Sequence, residues 1–322
     1  MPDQRDTLAL VFERDFVAAE GRWLFLHAAP LPDGALRHAE CEQRFRPAFN
    51  ALAASGYDAA PTRDGRDYDG AALLLGRSRK VNEANLARAW NALAPGGTLV
   101  VAGDKVAGIA PIRKLAASRA NVTDSLAKYH ATAFWMVRDG VDWAAPQLET
   151  IVDGWHVAAG TFSADGPDPA SQMLVRHLQG RPLGHTADLG AGWGFLSAEA
   201  VRVANPTSLE LFEADHAALE LAKRNLVTDL PTAFHWHDVA DEPIERRFDS
   251  VVMNPPFHSG RASEPRLGQR FIERASDILK PKGRLLMVAN RNLPYERVLD
   301  DRFASWTELE ASGGFKVFEA VR

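Results

Sequence analysis

The sequence predicts an α/β protein of two tandem domains, the second a mostly parallel seven-stranded sheet that ends in an antiparallel hairpin. Three observations carry this. The order strand, helix, Pro/Gly stop, strand occurs twice, which is how a βαβ unit reads in sequence. Short apolar runs in the second half alternate with helical spacing and stop at glycine, proline or an acid. Finally, 322 residues suffice for two ordinary domains.

Taken in order, the first copy begins with Tyr68-Asp69-Gly70-Ala71-Ala72-Leu73-Leu74-Leu75-Gly76, an apolar strand. A helix pattern follows through Asn85 to Leu93, then the stop Ala94-Pro95-Gly96-Gly97 and the strand Thr98 to Gly103. The second copy runs Phe248-Asp249 into a strand, a helix over Phe271 to Leu279, the stop Lys280-Pro281-Lys282-Gly283, and a strand from Arg284 to Asn290. Periodicity breaks between residues 140 and 165 at Asp139-Gly140, Asp153-Gly154 and Asp165-Gly166-Pro167. Two domains are therefore expected, 1–150 and 151–322. The first strand of the first copy ends in Gly76-Arg77-Ser78 and that half has no glycine-rich turn, so it is expected to be a non-catalytic relative of the second, kept for packing or substrate contact.

The second half opens with Thr186-Ala187-Asp188-Leu189-Gly190-Ala191-Gly192-Trp193-Gly194, a short strand carrying an acid and then a Gly-x-Gly-x-Gly turn into a helix over Phe195 to Val203. Glycines let the backbone turn tightly and approach a ligand, and the helix N-terminus offers it N–H groups. A second strand is expected to end at Glu213, about 20 residues past the glycines, where an acid can take a ribose hydroxyl pair. A helix over Ala217 to Asn225 follows. A third strand, Ala233 to Val239, carries Asp238 at its end.

The next strand, Phe248 to Met253, runs into Asn254-Pro255-Pro256-Phe257-His258. Proline has no N–H to give a ladder, so the strand must stop there. The break leaves the Asn254 amide and the Pro255 carbonyl at the carboxyl end of a strand, where open α/β sheets bind ligands. Two acceptors beside an aromatic ring suit a planar group bearing an exocyclic NH2. The chain then closes on two alternating runs around Gly313-Gly314, a hairpin signature.

Charge is uneven. The chain carries a net −5, yet residues 254–291 hold eight Lys and Arg against three Asp and Glu, +5, and the remainder is −10. Arg266, Arg270 and Arg274 recur every four residues and share one helix face, with Arg261 just ahead. Such a face can meet phosphates, or it can be a solvated helix surface. The single cysteine, Cys41, excludes an internal disulfide and fits a reducing cytosol. No signal peptide or membrane span is expected. His235, His237 and His258 lack a Cys or Glu at zinc-ligand spacing, so no metal is expected.

Together these residues resemble the bacterial rRNA guanine-N2 methyltransferase family, most of all its small-subunit (16S) members. Asn254 to Phe257 is similar to the Asn-Pro-Pro-Tyr/Phe signature of S-adenosylmethionine-dependent N-methyltransferases, and Asp188 to Gly194 to the first motif of class I methyltransferases. Gly160 to Gly166, Val288 to Glu296 and Gly314 to Val317 add to the likeness. Ala191 stands where many relatives have Cys, and Gly160 lacks a preceding Pro. The resemblance implies two tandem class I methyltransferase-like (Rossmann-like) domains, the N-terminal one degenerate. It implies S-adenosyl-L-methionine as cofactor, held by Asp188, Gly190, Gly192, Gly194, Glu213, Asp238 and Asn254. Asn254, Pro255, Pro256 and Phe257 would be catalytic, and the partner would be rRNA in the small subunit or an assembly intermediate, in the cytoplasm. Alternatives are a large-subunit guanine-N2 enzyme, a DNA adenine or protein glutamine N-methyltransferase, and a non-catalytic RNA-binding assembly factor.

Overall fold

The computed structural model describes residues 3–322 apart from Phe257, Gly260, Arg261 and Glu264, without the side chains of His258, Ser259, Ala262 and Ser263. The chain divides into two compact units, Met1–Thr150 and Ile151–Arg322.

The first unit contains α1 (Gln4–Glu13), β1 (Trp23–Leu26), β2 (Glu40–Glu42), α2 (Arg46–Ala54), β3 (Asp58–Ala60), β4 (Tyr68–Leu74), α3 (Arg79–Ala92), β5 (Leu93–Asp104), α4 (Ile109–Ala117), β6 (Val122–Lys128) and β7 (Ala131–Val137). Its sheet has the order β3-β2-β1-β4-β5-β7-β6, parallel except where β7 pairs with β5 and β6. A short two-stranded sheet follows, β8 (Glu149–Val152) with β9 (Trp155–Ala158).

The second unit continues with α5 (Pro169–Arg176), β10 (Gly184–Leu189), α6 (Phe195–Val203), β11 (Pro206–Glu213), α7 (His216–Asn225), β12 (Thr232–Trp236) and β13 (Phe248–Met253). The two-residue strands β14 (His258–Ser259) and β15 (Ala262–Ser263) pair with each other. Then come α8 (Pro265–Ile278), β16 (Leu279–Asn290), α9 (Glu296–Arg302), β17 (Ser305–Ser312) and β18 (Phe315–Val321). The order β12-β11-β10-β13-β16-β18-β17 repeats the first sheet strand for strand, again with an antiparallel β17–β18 hairpin at one edge. One apolar cluster, including Phe248, Ile272, Met287 and Tyr295, covers one face of the second sheet. Another, joining α5 and α6 to Val252, Leu286 and Val288, covers the other. Helices on both faces explain why the central strands are continuously apolar.

The duplication extends to a detail that periodicity does not show. Asp249 accepts a hydrogen bond from the His185 backbone N–H at 2.9 Å, and Asp69 accepts one from the Arg22 N–H at 2.7 Å. In both units an aspartate at the start of the fourth strand ties down the start of the first. The register also shifts at the same place in both, between Tyr68 and Gly70 and between Phe248 and Ser250. The Pro/Gly stops end the helices at Ala92 and Ile278, but they fall inside the strand runs β5 and β16 rather than before them. A stop that interrupts helix geometry can still be bridged by a ladder that shifts register.

Gly268 illustrates a close approach. It lies within α8, and a Cβ there would sit 1.8 Å from the Tyr295 hydroxyl. Tyr295 is wholly buried, so it has nowhere to move. A Gly→Ala change inside an exposed helix stabilises by about 1 kcal/mol. Gly268→Ala should do the reverse and cost on the order of 1–3 kcal/mol through overpacking. Denaturant unfolding measures this, and a gain in stability would show that α8 can move off Tyr295.

Candidate functional site

The sheet order reverses direction between β10 and β13, which are neighbours in space but lie far apart in sequence. Connections leave to opposite sides there and open a crevice at the strands' carboxyl ends. The structure brings Asp188, the glycine turn, Glu213 and Asn254 together at that edge.

The glycine turn is built on left-handed backbone. Gly190, Gly192 and Gly194 have φ of 74°, 57° and 88°. Gly194 precedes α6 without a capping side chain, and a Cβ on it would press on the Ala222 methyl at 3.0 Å. Among the described residues, no heavy atom beyond its chain neighbours lies within 4 Å of where a Gly192 Cβ would be, which leaves room for a ligand there. Trp193 is buried and its indole N–H donates to the Phe162 carbonyl at 3.0 Å, which ties the Gly160 to Gly166 stretch to the turn.

Two carboxylates flank the turn. Asp188 is fully buried, and its Oδ2 accepts from the Ser197 hydroxyl at 2.7 Å in the first turn of α6. Its Oδ1 is buried with no hydrogen-bond partner among the described residues. Burial pushes this carboxyl up to about 7, against the pull of Ser197. Glu213 accepts from the Gly192 N–H at 2.8 Å through Oε2 and from the Asp215 N–H at 2.7 Å through Oε1. Burial pushes it up to about 7 as well, outweighing those bonds. Each oxygen of a carboxylate has two lone pairs, so Glu213 keeps acceptor capacity beyond its backbone partners.

Asp238 departs from expectation. β12 ends at Trp236, and Asp238 lies two residues past it rather than at the strand's last position. Its Oδ1 accepts from the Ala240 N–H at 3.0 Å, so the side chain closes a turn of its own, which is what ends the strand early. His235 Nε2 donates to the Glu210 carboxylate at 2.8 Å, and a His237 ring nitrogen donates to the Pro243 carbonyl at 3.3 Å. No group of three or more His, Cys, Asp or Glu is arranged to hold a metal ion among the described residues.

β13 stops at Met253, and Asn254 follows. The Asn254 side chain is held at the nitrogen end of its amide. Its Nδ2 donates to Asp168 Oδ2 at 2.9 Å and to Ser171 Oγ at 3.0 Å. Asp168 is the N-cap of α5, where it also accepts from the Ser171 N–H at 2.8 Å, and Pro169 fills the first helical position. These two residues went unassigned in the sequence. The N-cap pattern Asp168-Pro169-Ala170-Ser171 marks a helix start, but nothing in it points 86 residues ahead to Asn254. Phe257 lies outside the described residues.

The basic face divides. Arg266 is exposed on α8. Arg270 instead pairs with Asp241 and donates to the Ala240 carbonyl, and Arg274 donates to the Val239 carbonyl at 3.0 Å. Both thereby fasten α8 to the turn after β12. Arg261 lies outside the described residues.

The raised acids set a pH dependence. An acid whose pKa rises on folding binds protons that the unfolded chain has lost. The stability it supplies is full below an unfolded value of about 4 and is lost as pH rises through about 7. Asp188→Asn removes the buried charge and keeps an acceptor for Ser197. Its gain in unfolding free energy over the parent, read by denaturant titration, should be small at pH 5 and grow toward pH 8, reaching on the order of a few kcal/mol. A gain independent of pH would mean that Asp188 does not titrate in this range.

Among known proteins, the family described as methyltransferase small domain matches residues 155–319, more than half of the chain. A ribosomal RNA small subunit methyltransferase C of Sodalis glossinidius is 36% identical over 56% of this chain and 51% of its own length. One of Pseudomonas aeruginosa is 28% identical over 79% of this chain and 80% of its own. The chain thus spans about half the length of some curated relatives it matches. Among solved structures, a T. Thermophilus 16S rRNA N2 G1207 methyltransferase (RsmC), in complex with AdoMet and guanosine, superposes with a TM-score of 0.81. It is 27% identical, over 99% of this chain and 91% of that one. That superposition covers both units, so the fold is two tandem class I methyltransferase-like domains. With a glycine turn and an acid at the sheet's reversal point, and a match that runs from β9 through most of β18, the chain belongs to the methyltransferase small domain family.

Proposed function

We propose that this chain transfers the methyl group of S-adenosylmethionine to the exocyclic N2 of a guanine in 16S ribosomal RNA. The observation that carries the reading is the fixed Asn254 amide beside the Pro255 carbonyl at the carboxyl end of β13. The relatives named for 16S rRNA methylation, and the neighbour solved with AdoMet and guanosine, support the same substrate.

The residues present fit the cofactor. The Oδ1 of Asp188, which has no partner among the described residues, suits a cationic methionyl amine, Glu213 a ribose hydroxyl pair, and Asp238 the adenine amino group. S-adenosylmethionine supplies a methyl carbon bonded to cationic sulfur, an electrophile that needs no metal. The chain's own task is to activate a poor nucleophile, because the N2 lone pair is delocalised into guanine. Asn254 Oδ1 and the Pro255 carbonyl accept from the NH2, draw nitrogen toward sp3 geometry and stabilise its growing positive charge. Phe257 stacks on the base and holds it in line. The guanine must leave its stack, at a cost of a few kcal/mol. The methylated nitrogen then loses its proton to solvent without a strong base.

The first unit reads as a non-catalytic copy. Strand pairing puts Phe25 where the second unit has Asp188, Leu74 where it has Asn254 and Gln43 where it has Glu213. Phe25 and Leu74 are buried, and the Gln43 amide is spent on the Ala28 carbonyl at 2.7 Å. Phe25 and Leu74 carry no acceptor, and the Gln43 amide oxygen accepts from the Phe45 N–H at 2.9 Å, so none of the three positions offers a carboxylate to a cofactor or a base. No described helix is long and apolar enough to cross a membrane. A cytoplasmic protein acting on the small subunit or its assembly intermediate fits the reading.

Asn254→Ala should lower kcat on the order of 10²–10³-fold with little change in KM, because acceptance strengthens as charge develops. Near-parental single-turnover methylation, with the fold intact by circular dichroism, would place activation of the nucleophile elsewhere. Arg266→Ala should weaken RNA binding and reduce its salt slope by about one. Arg274→Ala should chiefly lower Tm. An unchanged salt slope for Arg266→Ala would return this face to ordinary solvated surface.

A further inference from the structure

We infer that Asp168 is a positioning residue for methyl transfer, which fixes and polarises the Asn254 amide so that oxygen, not NH2, is offered to the substrate. This rests on the N-methyltransferase reading of the site. A primary amide has two ends of nearly equal shape and opposite hydrogen-bonding sense. Turned over, Asn254 would present donors to a substrate NH2 that is itself a donor, and acceptance would be lost.

The surroundings remove that choice. An ionised carboxylate only accepts, so Asp168 Oδ2, 2.9 Å away, demands the nitrogen end of the amide. Ser171 Oγ takes the second proton at 3.0 Å. Reversal would set the amide oxygen against the carboxylate. Asp168 is itself held in place. The same Oδ2 caps α5, and Ala170, Met173 and Leu174 of that helix pack on Val252, Leu286 and Val288 of the sheet. The carboxylate also does more than orient. A charged acceptor on Nδ2 draws amide electron density toward Oδ1 and strengthens it as an acceptor. That gain matters most when N2 becomes positive, so it should enter kcat rather than binding.

The test combines Asp168→Asn, Asp168→Ala and Ser171→Ala with Asn254→Ala, in the full chain. Single-turnover methylation of 16S rRNA and S-adenosylmethionine affinity by calorimetry are measured for each. Asp168→Asn keeps shape and N-cap but loses the charge, so the rate should fall roughly tenfold with cofactor affinity and KM unchanged. Asp168→Ala should fall roughly 100-fold. Ser171→Ala should fall least, because Asp168 still holds the nitrogen end. In the Asn254→Ala background Asp168→Asn should cost nothing further, because the group it acts through is gone. Losses that multiply in both backgrounds, or a parental rate for Asp168→Asn, overturn the inference while the proposed reaction stands. A parent chain that binds S-adenosylmethionine but transfers no methyl to guanine overturns both.

Discussion

Two successive prolines constrain everything around the site. Pro255 and Pro256 cannot donate to a ladder, so β13 ends at Met253, at the edge where the sheet order reverses. The chain must then leave the sheet with the Pro255 carbonyl outside any strand. Asn254, the last residue before the break, cannot be absorbed into the core as Leu74 is in the first unit. It has to be held by side chains from elsewhere, and α5 provides them through its N-cap. A local backbone rule thus calls for a long-range polar contact.

The cofactor side is organised by a different cost. Asp188 and Glu213 are acids placed where burial disfavours their charge, and both rise to about 7. Near neutral pH each is poised between forms, and a cation arriving beside Asp188 would favour ionisation. The first unit has no such cost, since it places Phe25 and Gln43 at the matching points. The two copies therefore differ at positions where a charged group would be expensive without a ligand. Shared features such as Asp69 and Asp249 serve the sheet itself.

Much of this was legible in the sequence. Apolar runs of strand length and the repeated stop signals point to β4 and β5 of the first sheet and to the strands of the second, because buried parallel strands must be continuously apolar; β1, β2, β3, β6 and β7 lie outside that repeated pattern. Helix α6 and the strands β13 and β18 fall where the pattern put them, as the glycine turn and the prolines are unambiguous backbone punctuation. The third strand is shorter than its pattern implies, since Asp238 looks like a strand end but folds into its own turn. The spacing of the arginines reports which residues share a helix side, not what waits opposite. Arg270 and Arg274 meet carbonyls of the Val239 to Asp241 turn. The Asp168 contact was illegible for the same reason: a residue 86 positions away leaves no trace in local pattern.

The central claim is the identity of the methylated atom. The most direct measurement is nucleoside mass spectrometry of 16S rRNA after incubation with this chain and methyl-labelled S-adenosylmethionine. The account predicts label in N2-methylguanosine, at one guanine. Label in N6-methyladenosine, in protein, or in no nucleoside at all would contradict it.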